Sequence, residues 1–296
     1  MKDHTVIIEE YLRLLRPWQW VKNLFVFLPL IFGGQATSCR GLIAGLGAFV
    51  SFSLAASAVY ALNDITDRER DRLLPGKCRR PVASGTISTN AAGAVCGLLS
   101  ALSLLVARQL PSPATACLIV GAYLLLNLLY SYWLKHICII DVMTIACGFV
   151  LRVLLGGVVC GIYVSPWLIT MVFMLTLLVA FGKRRDDLIK GGDTGHGRRS
   201  VAGYTVAYVD QVMTLLAGAV IVAYIIYTLT PEVTRRLNSE YVYVTAIFVL
   251  AAILRYMQIV TVREDSGRPT RIFYRDPFMV GCCVAWGVTF MLIIYC

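Results

Sequence analysis

Charge is scarce in this chain. Only 15% of its 296 residues are Asp, Glu, Lys or Arg, against 58% apolar, and a soluble domain of this length carries far more. With a mean hydropathy of +0.73, that scarcity excludes a soluble enzyme or soluble binding module. The N-terminus lacks the apolar core and cleavage site of a secretory signal, because residues 1–16 are polar and amphipathic. No CxxC pair occurs among the ten cysteines. Most of them lie inside apolar runs, where Cys acts as a small hydrophobe rather than a metal ligand or disulfide partner. Acidic residues are few, 17 against 27 Lys and Arg. In a chain this apolar, the excess marks cytoplasmic loops and not a nucleic-acid partner.

What is present instead is a series of apolar runs, each long enough to cross roughly 30 Å of hydrocarbon. They predict an all-α polytopic membrane protein with nine transmembrane helices near 22–37, 41–62, 90–108, 114–133, 138–160, 165–182, 205–229, 241–260 and 277–295. The chain reads as one integral membrane catalytic domain, 1–296. Its residues 1–21 form an interfacial amphipathic segment (Ile7, Ile8, Tyr11, Leu12, Leu14 and Leu15 mainly on one face, then Trp18 and Trp20 as anchors). Placing the N-terminus in the cytoplasm puts 21 Lys and Arg on that side and four on the other. The segments 63–89 and 183–204, four helices apart, are then cytoplasmic loops on one face, and the longest and most charged of the chain.

The first loop, NDITDRERDRLLPGKCRRPVASG from Asn63 to Gly85, holds four acidic and six basic residues. Read as a continuation of the second helix, it sets Asn63, Asp64, Asp67 and Asp71 on one face, with Glu69 turned away to solvent or an ion pair. Like charges at this spacing destabilise a bare helix, so the cluster suggests a hard divalent cation. Lys77, Arg79, Arg80, Ser84 and Gly85 follow and suit phosphate oxygens. The second loop, GKRRDDLIKGGDTGHGRRSVAGYT, is more basic than acidic: Lys183, Arg184 and Arg185 lead it, with Asp186, Asp187 and a Gly-rich turn holding His196 behind. Among ionisable residues within spans, which are functional candidates by default, Arg152 lies near the middle of the fifth and Asp141 near its cytoplasmic end. Arg255 reads as a snorkelling side chain. Tyr130 and Lys135 bracket the inner end of the fourth span.

At NDITDRERD followed by RRPVASG, the chain resembles the UbiA superfamily of intramembrane prenyltransferases, with signature NDxxDxxxD then RPxxSG. The resemblance covers nearly the whole chain. Most members join a polyprenyl diphosphate to an acceptor and carry a second aspartate-rich motif after the sixth span. Here GKRRDDL stands in that place. Together with RPWQWVKN, LKHICIIDV, GFVLRVLLGG and GYT, it looks most like the branch that moves 5-phosphoribose from phosphoribosyl diphosphate to a polyprenyl (decaprenyl-type) phosphate. That resemblance implies Mg²⁺ on Asn63, Asp64, Asp67 and Asp71, with Asp64, Asp67 and Asp71 catalytic. It also implies substrate contacts from Lys22, Asn63, Lys77, Arg80, Tyr130, Lys135, Arg152, Lys183, Arg184 and Tyr204. More substrate phosphates call for more fixed cations, which the KRR run can supply. Two alternatives stand beside this: a prenyltransferase acting on an aromatic or other acceptor, and a transporter. Polar transporter sites sit near the midplane, whereas this acidic cluster lies at a helix end. The expected setting is a bacterial inner membrane with the site facing the cytoplasm, and assembly into a homo-oligomer stays open.

Overall fold

The computed structural model describes residues 2–74, 76–191, 203–262, 272 and 275–295. Everything regular among them is helical: α1 (Lys2–Leu15), α2 (Leu28–Phe32), α3 (Cys39–Thr66), α4 (Arg68–Leu73), α5 (Thr89–Arg108), α6 (Pro113–Tyr132), α7 (Ile140–Cys160), α8 (Pro166–Gly191), α9 (Val206–Leu229), α10 (Pro231–Leu237), α11 (Ala246–Val262) and α12 (Pro277–Tyr295), with 3₁₀ segments between some of them. Eight helices among the described residues are long and apolar enough to cross a bilayer. Their ends carry local signals that make them stop and start. Ser38, Ser88 and Thr205 cap α3, α5 and α9 by accepting hydrogen bonds from Gly41, Ala91 and Tyr208 amides. Asp276 does the same for Met279 at the head of α12.

The first expected crossing, 22–37, does not form one α-helix. Residues Pro17–Phe27 wind as a 3₁₀ helix and α2 follows for five residues, before a turn at Gly34 with φ of 67°. Pro29 is the physical reason. Inside a continuous α-helix it would leave the Phe25 carbonyl without its donor and press its ring on that turn, whereas near the start of α2 it costs nothing. Burial follows the 3₁₀ period: Asn23, Val26 and Pro29 are buried at every third residue.

The chain divides into two compact units, Met1–Lys135 with Leu151–Val164, and His136–Val150 with Ser165–Cys296. In the first, α3 is the central helix and packs against α1, the 3₁₀ segment, α5 and α6. Its buried face is mostly small (Ala44, Ala48, Ser51, Ala55, Ala58, Ala61), which lets neighbouring backbones approach closely, as membrane helices require. Phe52 fills the middle, edge-on to Tyr123 at 5.0 Å between ring centres. Trp20 Nε1 donates to Ser57 at 3.0 Å and Asn23 donates to Ser53 at 3.0 Å, so positions three apart on the 3₁₀ segment meet positions four apart on α3. The outer leucines, such as Leu98, Leu105, Leu118 and Leu125, are exposed, as a hydrocarbon surround demands.

In the second unit α8 packs on α9, and α11 on α12. A Cβ at Gly182 would stand 2.2 Å from the Tyr256 hydroxyl, so the glycine admits that ring to α8. Tyr224 shares a 2.6 Å hydrogen bond with Thr245 and accepts one of 2.7 Å from Trp286. The sixth span, expected to end at 182, continues as helix to Gly191. No Gly or Pro interrupts KRRDDLIK, and Arg184–Asp187 and Asp186–Lys190 pair along the helix at 2.9 and 2.6 Å. Of the 183–204 loop, Gly191 and what precedes it is therefore helical. His196, Arg198 and Arg199 lie outside the described residues.

Arg255 does not simply snorkel. It forms a bidentate pair with Asp276, 2.6 Å at the shortest, and its guanidinium lies over Phe278.

Candidate active site

The expected acidic face is built where α3 ends. Asn63 O accepts from Asp67 N at 2.9 Å and Asp67 O from Asp71 N at 2.8 Å, so the helical hydrogen-bond spacing carries across the small break at Asp67 into α4. Asp64 and Asp71 are 1% and 2% exposed, while Glu69 faces solvent and pairs with Arg72 at 3.2 Å, as its position predicted.

Each buried carboxylate meets a basic side chain. Arg80 Nη1 donates to Asp71 at 2.6 Å and reaches Asp64 at 3.5 Å. Lys135 donates to Asp67 at 2.6 Å. Arg16 donates to the same Asp64 oxygen, Oδ1, that Arg80 reaches. The other oxygen, Asp64 Oδ2, is buried without a hydrogen-bond partner. A buried charge costs several kcal/mol unless paired, so an orphaned carboxylate oxygen is where an extra cation would be expected. Among the described residues, no three His, Cys, Asp or Glu side chains converge closely enough to hold a metal. Arg80 stands between Asp64 and Asp71, in reach of both.

Asn63 accepts from the Ser131 hydroxyl at 2.8 Å, which ties α3 to α6 one residue from Tyr130, itself half-buried. The segment behind the cluster is held by Arg72 Nε on the Ala83 carbonyl at 3.1 Å. It then turns at Gly85, whose φ of 84° suits a residue without Cβ. Lys77 is half-buried, and Arg79 is exposed.

Lys22 is half-buried next to Asn23 on the 3₁₀ segment. Arg152, at 5% exposure, donates to Asn23 Oδ1 at 2.8 Å and to the Tyr123 hydroxyl at 3.2 Å, with its guanidinium over the Phe52 and Tyr123 rings. Its contacts fix the segment that bears Lys22. One turn along, a Cβ at Gly156 would lie 1.9 Å from the Val26 carbonyl oxygen, so the motif GFVLRVLLGG serves one docking contact.

The second unit holds a cluster of its own. Arg184, 1% exposed, donates to Asp141 at 2.7 Å and to Asp187 at 2.9 Å. Arg185 pairs with Asp210 at 2.7 Å and donates to the Val260 carbonyl. Of the three consecutive cations, Lys183 is the exposed one. Tyr204 accepts from the Ile139 amide and donates to Asp141 at 3.3 Å. Burial pushes its hydroxyl up to about 12, so it keeps its proton and can donate at neutral pH. Ile139 has a φ of 68°, a strained conformation for a β-branched residue. The whole GYT motif serves this corner: a Cβ on Gly203 would lie 2.4 Å from Cys138 Sγ, Tyr204 secures Ile139, and Thr205 caps α9. Tyr204→Phe leaves the Ile139 amide unsatisfied and is expected to cost about 1–3 kcal/mol, read as a lowered melting temperature with the membrane-inserted protein.

Sequence reasoning missed Arg16. Its signal is the proline after it, which ends α1 by disfavouring α conformation at the preceding residue; Arg16 leaves the helix in the left-handed region, with a φ of 52°. The partners Asp210 and Asp276 were also unread.

The chain matches the UbiA prenyltransferase family over residues 25–280. It is 32% identical over 287 residues to a decaprenyl-phosphate phosphoribosyltransferase of Corynebacterium glutamicum, covering 96% of this chain and 86% of that one. It is 33% identical over 291 residues to the protein of the same name from Mycobacterium tuberculosis, covering 96% and 93%. A solved UbiA homolog from Archaeoglobus fulgidus, bound to DMAPP and Mg²⁺, shares the fold with a TM-score of 0.71 at 22% identity, over 96% of this chain and 99% of that one. Apolar helices, an acidic helix end and a match over most of its length agree: this integral membrane protein belongs to the UbiA prenyltransferase family of transferases.

Proposed function

We propose that the protein transfers 5-phosphoribose from phosphoribosyl diphosphate to a polyprenyl phosphate of decaprenyl type, releasing diphosphate. The observation that carries this reading is the near-full-length similarity to two enzymes named for that reaction. The first unit's cluster supports it chemically. Asn63, Asp64, Asp67 and Asp71 offer hard oxygen donors of the kind Mg²⁺ takes, and the partnerless Oδ2 of Asp64 fits such an ion. Bound magnesium would supply positive charge to the departing diphosphate.

The remaining work falls to the chain's own side chains. In the first unit, Lys22, Lys77, Arg80 and Lys135 hold phosphate oxygens. Arg152 orients the segment that bears Lys22, and Tyr130 stands beside Ser131, which holds Asn63; in the second unit Arg184 and Tyr204 converge on Asp141. An oxygen of the lipid phosphate attacks the ribose anomeric carbon while the bond from that carbon to diphosphate breaks, so the centre inverts. That phosphate is already an anion, so no general base is needed and the barrier falls by positioning. The reading places the N-terminus and the acidic cluster on the cytoplasmic side of a bacterial inner membrane. It counts Pro17–Phe32 as a ninth crossing, since eleven 3₁₀ residues at about 2.0 Å and five α-helical ones at about 1.5 Å reach about 30 Å.

The DMAPP-bound homolog favours a second reading, prenyl transfer from a prenyl diphosphate. Purified protein given Mg²⁺ and each donor in turn separates the two. Diphosphate release is expected only from phosphoribosyl diphosphate, and only with polyprenyl phosphate present. Release from a prenyl diphosphate, with none from the ribosyl donor, would favour prenyl transfer instead.

A further inference from the structure

Asp64, Asp67 and Asp71 are met by three basic side chains, Arg16 and Arg80 on Asp64, Arg80 also on Asp71, and Lys135 on Asp67, so three negative charges stand against three positive ones. We propose that these three side chains are resident counter-cations that exclude a bare divalent ion, so that the metal enters only together with a diphosphate. This rests on the function proposed above for the same residues.

The argument is one of charge. Asp64 is almost fully buried, and one of its oxygens carries two guanidinium contacts while the other carries none. A divalent ion at the vacant oxygen would stand beside both guanidinium groups. Like charges at such range, away from bulk water, repel strongly. A diphosphate changes the balance, because its oxygens give Arg16, Arg80 and Lys135 new partners as they leave the aspartates. Arg16 is well placed to swing. Its side chain is one-fifth exposed, it lies over the Tyr60 ring at 5.2 Å, and it sits at the left-handed junction between α1 and the 3₁₀ segment. Lys135, by contrast, is buried.

The test reads metal binding without turnover. Manganese(II) binding to the full chain in lipid nanodiscs is followed by paramagnetic resonance with no phosphate present. Wild type is expected to bind weakly, and Arg16→Gln at least about tenfold more tightly. Arg16→Lys should stay at the wild-type value, and Asp64→Asn added to Arg16→Gln should remove the gain. Lys135→Gln, acting on Asp67, gives the same readout independently should Arg16→Gln unfold, which its melting curve reveals. Unchanged or weaker manganese binding in a folded Arg16→Gln overturns the proposal, as does equal tightening by Arg16→Lys. The choice of donor is read separately, by which diphosphate raises the wild-type melting temperature with magnesium. A failure of the phosphoribosyl reading there leaves the manganese result standing.

Discussion

Asp64→Asn is expected to lower phosphoribosyl transfer by about 10²–10³-fold or more while the protein still inserts and folds. The change keeps the side chain's shape and removes its charge. Arg80 retains Asp71 at 2.6 Å, and Arg16 is exposed enough to find water, so little stability is lost. Asp67→Asn differs in a way that checks the assignment. It strands Lys135, whose side chain is 8% exposed, and removing one partner of a buried pair costs about 3–5 kcal/mol. Activity should fall in both variants, but the melting temperature should fall mainly in the second. The measurement is transfer from labelled donor to polyprenyl phosphate in proteoliposomes, paired with thermal melting. Full activity in either variant would remove these carboxylates from the reaction.

A large loss of stability is also expected from Gly156→Ala, at about 3 kcal/mol. The added methyl would meet the Val26 carbonyl oxygen at 1.9 Å and its carbon at 2.8 Å. Both are backbone atoms, so no rotamer change relieves the clash, and the 3₁₀ segment or α7 must move bodily. Asn23 and Lys22 lie within four residues of Val26, so the Arg152–Asn23 bond should loosen and substrate affinity drop together with the melting temperature. Gly121→Ala on α6, where a Cβ meets nothing within 4 Å, serves as the control. It should be neutral or slightly stabilising. Equal melting of the two variants would mean that the close approach is not required.

Much of this was legible beforehand, and the reasons differ by feature. The α5 crossing, expected at 90–108, spans Thr89–Arg108, because an apolar run bounded by Ser88 before it and Pro111 after it states its own ends. The acidic face was readable because helical spacing persists through Asp67. Hydropathy does not report which charge meets which. Arg184 and Lys183 are neighbours of the same sign, yet one is buried between two carboxylates and the other exposed. That outcome depends on Asp141, 43 residues away. Arg16 finds Asp64 across 48 residues, a distance over which composition and periodicity carry no pairing information. The first crossing failed as a plain helix for a local reason, Pro29, that was visible in the sequence but outweighed by the apolar run around it.

The docking of Arg152 and Gly156 on the Asn23–Val26 segment also has a consequence for synthesis. Asn23 Oδ1 waits for a donor made 129 residues later, which at about 5–20 residues per second is roughly 6–26 s. During that interval the 3₁₀ segment is held by its contacts with α3, Trp20 on Ser57 and Asn23 on Ser53. The first unit is therefore completed from its C-terminal piece backwards, when the second half of α7 leaves the ribosome. A nascent chain arrested before that point should leave Pro17–Phe27 open to cysteine labelling, and one arrested well after it should protect the segment.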